Sequence, residues 1–367
     1  MKKKSEKPEN KHDFTLVVGE DDAIESVRNA VDKDLYDQYR VLWEQSYDKE
    51  IVPNFPLQID FELNYSCNFS CSMCTWNSES TKGKGKKTWF SYDVYKEVVD
   101  DSIKRGLRSI RLNYVNEPLM RNDITKFIKY ARKAGILDLY FSTNGSLLTK
   151  KIAKKLVKSG LLRLQISLDA NTKSTYESIR KGGNFEQVIS NIENFLKIRE
   201  ELGSKTPTLR VNFVKTKQNI DELDGFIKFW RDKADFIGVQ DLMEIMDEKK
   251  QPQEESSTPI RKNFRCSQVF QHLIVRYDGS IVPCCSFYGA QMPIALLKTK
   301  NAKANFSEVE NIGLLDNRKK ANLVVQSIQE AWDGKDMKFL RKIHKAGEYW
   351  KHPVCYQCVE NLDITEA

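Results

Sequence analysis

Eight cysteines carry most of the chemistry this sequence can do, and their positions are clustered: 67, 71 and 74; 266; 284 and 285; 355 and 358. In Cys67-Asn68-Phe69-Ser70-Cys71-Ser72-Met73-Cys74 three thiols fall within eight residues, close enough to wrap one small inorganic centre. A structural zinc site takes four protein ligands, and no further His or Cys lies nearby in sequence, so a closed zinc site here needs a distant fourth ligand. An iron–sulfur cube also takes four ligands. Held by only three, it keeps one iron open, and an open iron can bind substrate. The four histidines give no clear general-base constellation. Gly83-Lys84-Gly85-Lys86-Lys87 lacks the Gly-x4-Gly-Lys-Ser/Thr spacing of a phosphate loop and reads as a flexible basic loop near the first cluster.

The chain holding these groups has 367 residues, 40% hydrophobic and 30% charged, with 17 Gly and 10 Pro, which excludes collagen-like, disordered and low-complexity classes. At about 150 residues per domain, two or three domains are expected. The start, Met1-Lys2-Lys3-Lys4-Ser5-Glu6-Lys7-Pro8, leads into polar residues instead of an apolar stretch, so it is not a secretory signal. No run approaches the about 18 apolar residues of a membrane span. The expectation is a cytoplasmic protein with no membrane partner, whose reduced thiols bind metal or react instead of pairing. A net charge of +8 spread along the chain reads as a mildly basic surface. With no basic run interleaved with aromatics, nucleic acid is not an expected partner.

The elements that position these groups follow from periodicity. Residues 1–56 read as a tail, to about residue 13, and a helical extension, where Ile24, Val27, Val31, Leu35, Tyr39 and Leu42 recur at helical spacing before Pro53 and Pro56. From residue 57 strands and helices alternate. Strands are predicted at 57–63, 109–113, 137–142, 162–168, 209–214 and 236–242, with helices at 91–105, 122–134, 149–159, 172–179, 186–202 and 221–233. Six such alternations over residues 57–246 predict an α/β fold with a parallel sheet and right-handed crossovers. They are too few for the eight-stranded barrel, so an open or three-quarter barrel is expected. The polar stretch 247–265 reads as a linker. Behind it, residues 266–367 open with a hairpin, 272–277 and 280–283 around Asp278-Gly279, and close with a helix near 336–346 and the Cys355/Cys358 pair.

At the first cysteine cluster the sequence resembles the radical S-adenosylmethionine (SAM) superfamily, whose hallmark is Cys-x3-Cys-x2-Cys after strand one of a partial (β/α)6, TIM-like barrel. The resemblance covers about residues 57–246. Asn116-Glu117-Pro118 looks like the family's Gly-Glu-Pro segment, with Asn116 in place of Gly; it implies that Glu117 meets the amino group of the methionine moiety. Ser142-Thr143-Asn144-Gly145 is similar to the family's Thr-Asn-Gly loop, and Ser167-Leu168-Asp169 to the Ser-x-Asp stretch that approaches ribose or carboxylate. Arg180 is implied to pair with the SAM carboxylate, since its planar fork suits bidentate binding, and Met73 to contact adenine through its backbone. The resemblance implies that Cys67, Cys71 and Cys74 hold a [4Fe-4S] cluster with SAM at the open iron. One electron, from an external donor such as flavodoxin or ferredoxin, then cleaves SAM to methionine and a 5′-deoxyadenosyl radical that takes hydrogen from the substrate.

Cys266, Gly279 and Cys284 are similar to the opening half of the auxiliary-cluster domain called SPASM, and Cys355-x2-Cys358 to its next element. No further cysteine follows, which matches the shorter twitch variant, in which Cys266, Cys284, Cys355 and Cys358 would hold one auxiliary [4Fe-4S] cluster. A tetrahedral zinc site from the same four is the alternative. Cys285 is left over, as an alternative ligand, a small buried hydrophobe or a hydrogen-atom donor. A fully ligated auxiliary cluster suits one-electron transfer. By analogy with the twitch-containing alcohol dehydrogenase of butirosin biosynthesis, the expected substrate is a polar, carbohydrate-like alcohol that is oxidised. A peptide-modifying enzyme, forming a crosslink or an epimerised residue, is the alternative, against which the region before strand one reads as too short for a winged-helix peptide-binding module. A non-catalytic iron–sulfur or zinc protein is the third. Gln240, Glu244, Phe287 and Tyr288 are candidates to line the substrate cavity.

Overall fold

The computed structural model describes residues 15–18, 20–74, 89–242, 264–300 and 323–360. The tail up to residue 13, the basic loop 83–87, linker residues 247–263, Glu244 and the Phe287 side chain lie outside the described residues. In chain order the elements are β1 (Thr15–Val18), α1 (Glu20–Asn29), α2 (Lys33–Tyr47), β2 (Gln58–Phe61), α3 (Tyr92–Arg105), β3 (Ser109–Arg111), α4 (Ile124–Ala134), β4 (Asp138–Thr143), α5 (Lys150–Val157), β5 (Arg163–Ser167), α6 (Lys173–Ile179), α7 (Phe185–Glu201), β6 (Thr208–Lys215), α8 (Leu223–Trp230) and β7 (Phe236–Asp241). Then follow α9 (Gln268–Gln271), β8 (His272–Val275), β9 (Ser280–Val282), β10 (Ala295–Leu297), β11 (Val325–Gln326), α10 (Ile328–Trp332), α11 (Lys335–Ala346) and α12 (Pro353–Glu360).

β2 to β7 pair in parallel in sequence order, each joined to the next through helix, as six alternations require. The helices begin where side-chain oxygens meet orphan amide donors: Ser91 caps α3, Thr149 caps α5 and Asn184 caps α7. The sheet is an open, partial (β/α)6 barrel, and it runs on past both ends of the six-stranded unit. β1, a short apolar run (Thr15-Leu16-Val17-Val18) unforeseen in the sequence, pairs antiparallel with β7. β8 pairs in parallel with β2, with His272 opposite Gln58, and leads through β9 and β10 to β11. The C-terminal unit therefore adds its strands to the barrel sheet instead of building a separate one. A buried ion pair, Arg276 to Glu62 at 3.1 Å, ties β8 to the end of β2.

Alternation in the strands has an unusual outcome. The apolar set, including Ile59, Phe61, Ile110, Leu139, Leu164 and Val211, is fully buried; each such side chain contributes about 1.5–3 kcal/mol. The polar set is buried too: Gln58, Asp60, Gln165, Arg210 and Asn212 are all at most 6% exposed. Polar groups taken from water must find partners, so the barrel interior is a polar chamber, not an oily core. No described helix is long and apolar enough to cross a membrane.

Candidate active site

Cys67, Cys71 and Cys74 lie on the loop after β2, all three as free thiols, with Cys71 buried and the other two half-buried. Neighbouring loops hold this one in place. The amides of Ser70 and Ser72 donate to the carbonyls of Lys181 (2.8 Å), just past α6, and Ile179 (3.0 Å), its last residue, and the Glu117 amide donates to the Ser66 carbonyl at 2.9 Å. Asn68, between the first two cysteines, accepts from Asn144 Nδ2 at 3.0 Å and donates to Ser146 Oγ at 2.9 Å. Gly183 completes the fit, since a Cβ there would come within 2.9 Å of the Phe69 and Tyr176 rings. Burial, and then the charges of Glu117, Cys74 and Cys71, push the Cys67 thiol up to about 12. Three crowded thiols of this kind are a donor set for a cationic, sulfur-loving centre.

The residues expected to receive SAM are brought to the same end of the barrel. Glu117 is buried, and its carboxylate accepts from the Leu119 amide (3.0 Å), Thr143 Oγ1 (2.7 Å) and the Asn144 amide (2.8 Å), which joins the loops after β3 and β4. Burial raises its pKa despite these donors. Asn144 also accepts from the amide and hydroxyl of Ser146 at 2.9 and 2.7 Å. Asp169, just past β5, takes a left-handed backbone at φ 61°, uncommon for a non-glycine residue. Its carboxylate accepts from the Val214 amide at 2.8 Å and from Arg180 Nη2. Arg180 Nη1 reaches Cys71 Sγ at 3.7 Å, while its buried Nε has no hydrogen-bond partner in the protein. Glu117, Asn144, Ser167 and Arg180 line the central cavity along with Cys67, Cys71 and Cys74; Met73 and Asp169 stand outside its lining.

That cavity is about 750 Å³ and extends from the cysteine loop to the junction with the C-terminal unit. Its lining includes Gln240, as expected, but not the buried Tyr288. It also includes residues not expected from the sequence: Arg111, Tyr140, Arg163, Arg210 and His272 from the strands, and Tyr39, Arg40 and Trp43 from α2. Several charges inside it are paired with acids, whereas Arg210 donates to the neutral Asn212 Oδ1 at 2.6 Å and lies over the Phe236 ring. Arg163 binds both Asp138 oxygens at 2.7 and 2.6 Å, and Arg111 stands 3.6 Å from Asp60. Burial pushes Asp60 up to about 6. The available signal was the polar half of each alternating strand, which parity places together on the lumen side once the sheet curls.

At the C-terminal unit Cys284, Cys355 and Cys358 are buried and Cys266 half-buried. Burial raises the Cys284 thiol well above its usual value, and the four thiols stand near enough for Cys358, Cys266 and Cys355 to add to that shift. Gly289 permits the crowding: a Cβ there would meet Cys284 Sγ at 2.7 Å. A cubane distributes its ligands over separate iron corners, so four gathered thiols are a donor set for one. Cys285 lines the barrel cavity and donates to Gln268 Oε1 at 3.0 Å.

Comparison with known proteins agrees with this geometry. The Radical SAM superfamily matches residues 61–229, and the SPASM iron–sulfur cluster-binding domain matches residues 266–359. The mycofactocin maturase MftC of Mycolicibacterium smegmatis is 30% identical over 175 residues, 47% of this chain and 41% of its own length. A probable GTP 3′,8-cyclase of Methanococcus maripaludis is 30% identical over 207 residues, 56% of this chain and 64% of its own length. The matches thus span about half the length of the curated relatives. Among solved structures, native anSMEcpe with bound AdoMet superimposes with a TM-score of 0.55 at 16% identity, covering 83% of this chain and 88% of that one. SuiB of Streptococcus suis bound to S-adenosylmethionine gives 0.52 at 16% identity, over 67% of this chain and 64% of that one. These likenesses support the fold. With a cysteine loop at the mouth of a partial barrel and four further cysteines gathered in the C-terminal unit, the chain belongs to the radical SAM superfamily and carries a SPASM iron–sulfur cluster-binding domain.

Proposed function

We propose that the chain takes a hydrogen atom from a polar, carbohydrate-like small molecule and oxidises an alcohol carbon to a carbonyl. The bound cluster and SAM supply the one-electron cleavage that generates the abstracting carbon radical. Cys67, Cys71 and Cys74 would hold that cluster, and Glu117, Asn144, Ser167 and Arg180 would receive SAM where they line the cavity, with Asp169 holding Arg180 and the Met73 backbone meeting adenine. Cys266, Cys284, Cys355 and Cys358 would hold the auxiliary cluster, which would take the second electron while the hydroxyl proton leaves to solvent. An external one-electron donor of the flavodoxin or ferredoxin kind supplies the first. The observation that carries this reading is the cavity wall: Gln58, Tyr140, Gln165 and Asn212 offer neutral hydrogen-bonding groups, and Arg163 and Asp138 neutralise one another. Such a chamber suits hydroxyl groups better than apolar side chains.

Cys285 favours a second reading. A thiol on the wall of the radical cavity can return a hydrogen atom to a substrate, as an epimerising peptide-modifying enzyme needs, and MftC is named as a maturase. Mass analysis after anaerobic turnover with SAM separates the two: oxidation leaves a product 2 Da lighter, whereas epimerisation leaves the mass unchanged and introduces one solvent deuterium in D2O, roughly +1 Da by simple stoichiometry.

A further inference from the structure

At the end of the cavity away from the cysteine loop, His272 opens β8 directly opposite Gln58 of β2. It is 4% exposed, it lines the cavity, and neither of its ring nitrogens has a hydrogen-bond partner in the protein. Buried polar atoms are nearly always paired, so an imidazole unpaired at both nitrogens on a cavity wall marks a place where a ligand completes the bonding. Arg111, Gln58, Gln268 and Cys285 share the same wall. We propose that His272, flanked by Arg111 and Gln268, forms the substrate subsite that binds hydroxyl groups of a neutral polyol and holds it between the SAM end and the auxiliary cysteines.

The class of ligand follows from the charges. Beside His272 the cation is Arg111, which is answered by Asp60 at 3.6 Å; on the more distant strands Arg163 is answered by Asp138 and Arg210 donates to Asn212 Oδ1. Burial, and then Arg111, lower His272 to about 3, so at neutral pH the ring is uncharged and offers one N–H and one lone pair. A carboxylate or phosphate would bring an uncompensated charge to such a place. A hydroxyl is both donor and acceptor, and it matches a neutral imidazole on either nitrogen. Gln268, which accepts from Cys285 at 3.0 Å through its Oε1, lines the same cavity.

This inference rests on the small-molecule reading above, and its test separates the two. The probes are myo-inositol, glucuronate and a five-alanine peptide, titrated calorimetrically into the anaerobically reconstituted full chain with SAM bound. Myo-inositol should bind the wild type; H272F should weaken it at least about tenfold, the effect of losing paired hydrogen bonds; H272Q, which keeps a donor and an acceptor, should weaken it less. Iron content equal to wild type shows that each variant is folded, and H272Q carries the test where H272F fails that control. Equal myo-inositol affinity in wild type and both variants overturns the subsite alone. Failure of myo-inositol to bind wild type, or tighter binding of glucuronate, overturns the neutral-polyol assignment. Tighter binding of the peptide overturns the small-molecule reading beneath it.

Discussion

Cys284 and Cys285, joined by one peptide bond, serve different places: Cys284 is buried among Cys266, Cys355 and Cys358, while Cys285 lines the barrel cavity that begins at Cys67. The strand pairing of β8 with β2 makes this possible, because it sets the C-terminal cysteines against the open side of the barrel. The C-terminal cysteines are thereby brought up to the barrel cavity.

Iron content should divide by cysteine cluster. Wild type should carry about eight irons per chain, as two cubes require. C71A should fall to about four and lose SAM cleavage; C355A should fall to about four through the other cluster. A wild-type content near four accompanied by one zinc would remove the auxiliary cube.

Gly183 should tolerate no side chain. A Cβ there would lie 2.9 Å from atoms of the Phe69 and Tyr176 rings, so G183V should displace the cysteine loop, cost about 1–3 kcal/mol by overpacking, and lower iron occupancy of the first cluster. Wild-type melting and iron content in G183V would contradict the strapping role assigned to the 179–183 segment.

Acid should reveal His272. Its folded pKa, about 3, lies below the usual 6.5, so as pH falls through 6.5 the unfolded chain takes up a proton that the folded chain refuses. Wild type should therefore lose about 1 kcal/mol relative to H272F between pH 7 and 5.5. Asp60, pushed up to about 6, gives the opposite slope in both proteins and drops out of the comparison. Parallel curves from anaerobic urea unfolding would show that His272 is not buried as a neutral ring.

Cys285 should be dispensable for cluster assembly. C285A should retain wild-type iron, because four other thiols gather at the C-terminal site. Loss of about four irons would make Cys285 a ligand.

The first three cysteines were legible from spacing, and the barrel from six alternations of period, because both are local patterns; the grouping of Cys266, Cys284, Cys355 and Cys358, spread along the last third of the chain, followed only from the resemblance. Three features were not legible. β1 is four residues long and owes its existence to pairing with β7. The junction of β8 with β2 is a long-range pairing between two apolar runs that each read as a strand but carry no sign of the partner. His272 and Arg111 became visible only when the polar parity of each strand turned out to face a lumen, since parity in one strand cannot distinguish a lumen from solvent.

The central claim is that the loop of Cys67, Cys71 and Cys74 makes this chain a SAM-cleaving radical enzyme. The direct measurement is chromatography of 5′-deoxyadenosine formed from SAM by anaerobically reconstituted, dithionite-reduced protein. The account predicts its formation by wild type and loss in C67A, C71A and C74A. A wild-type protein with its iron intact and no 5′-deoxyadenosine above the protein-free background would contradict it.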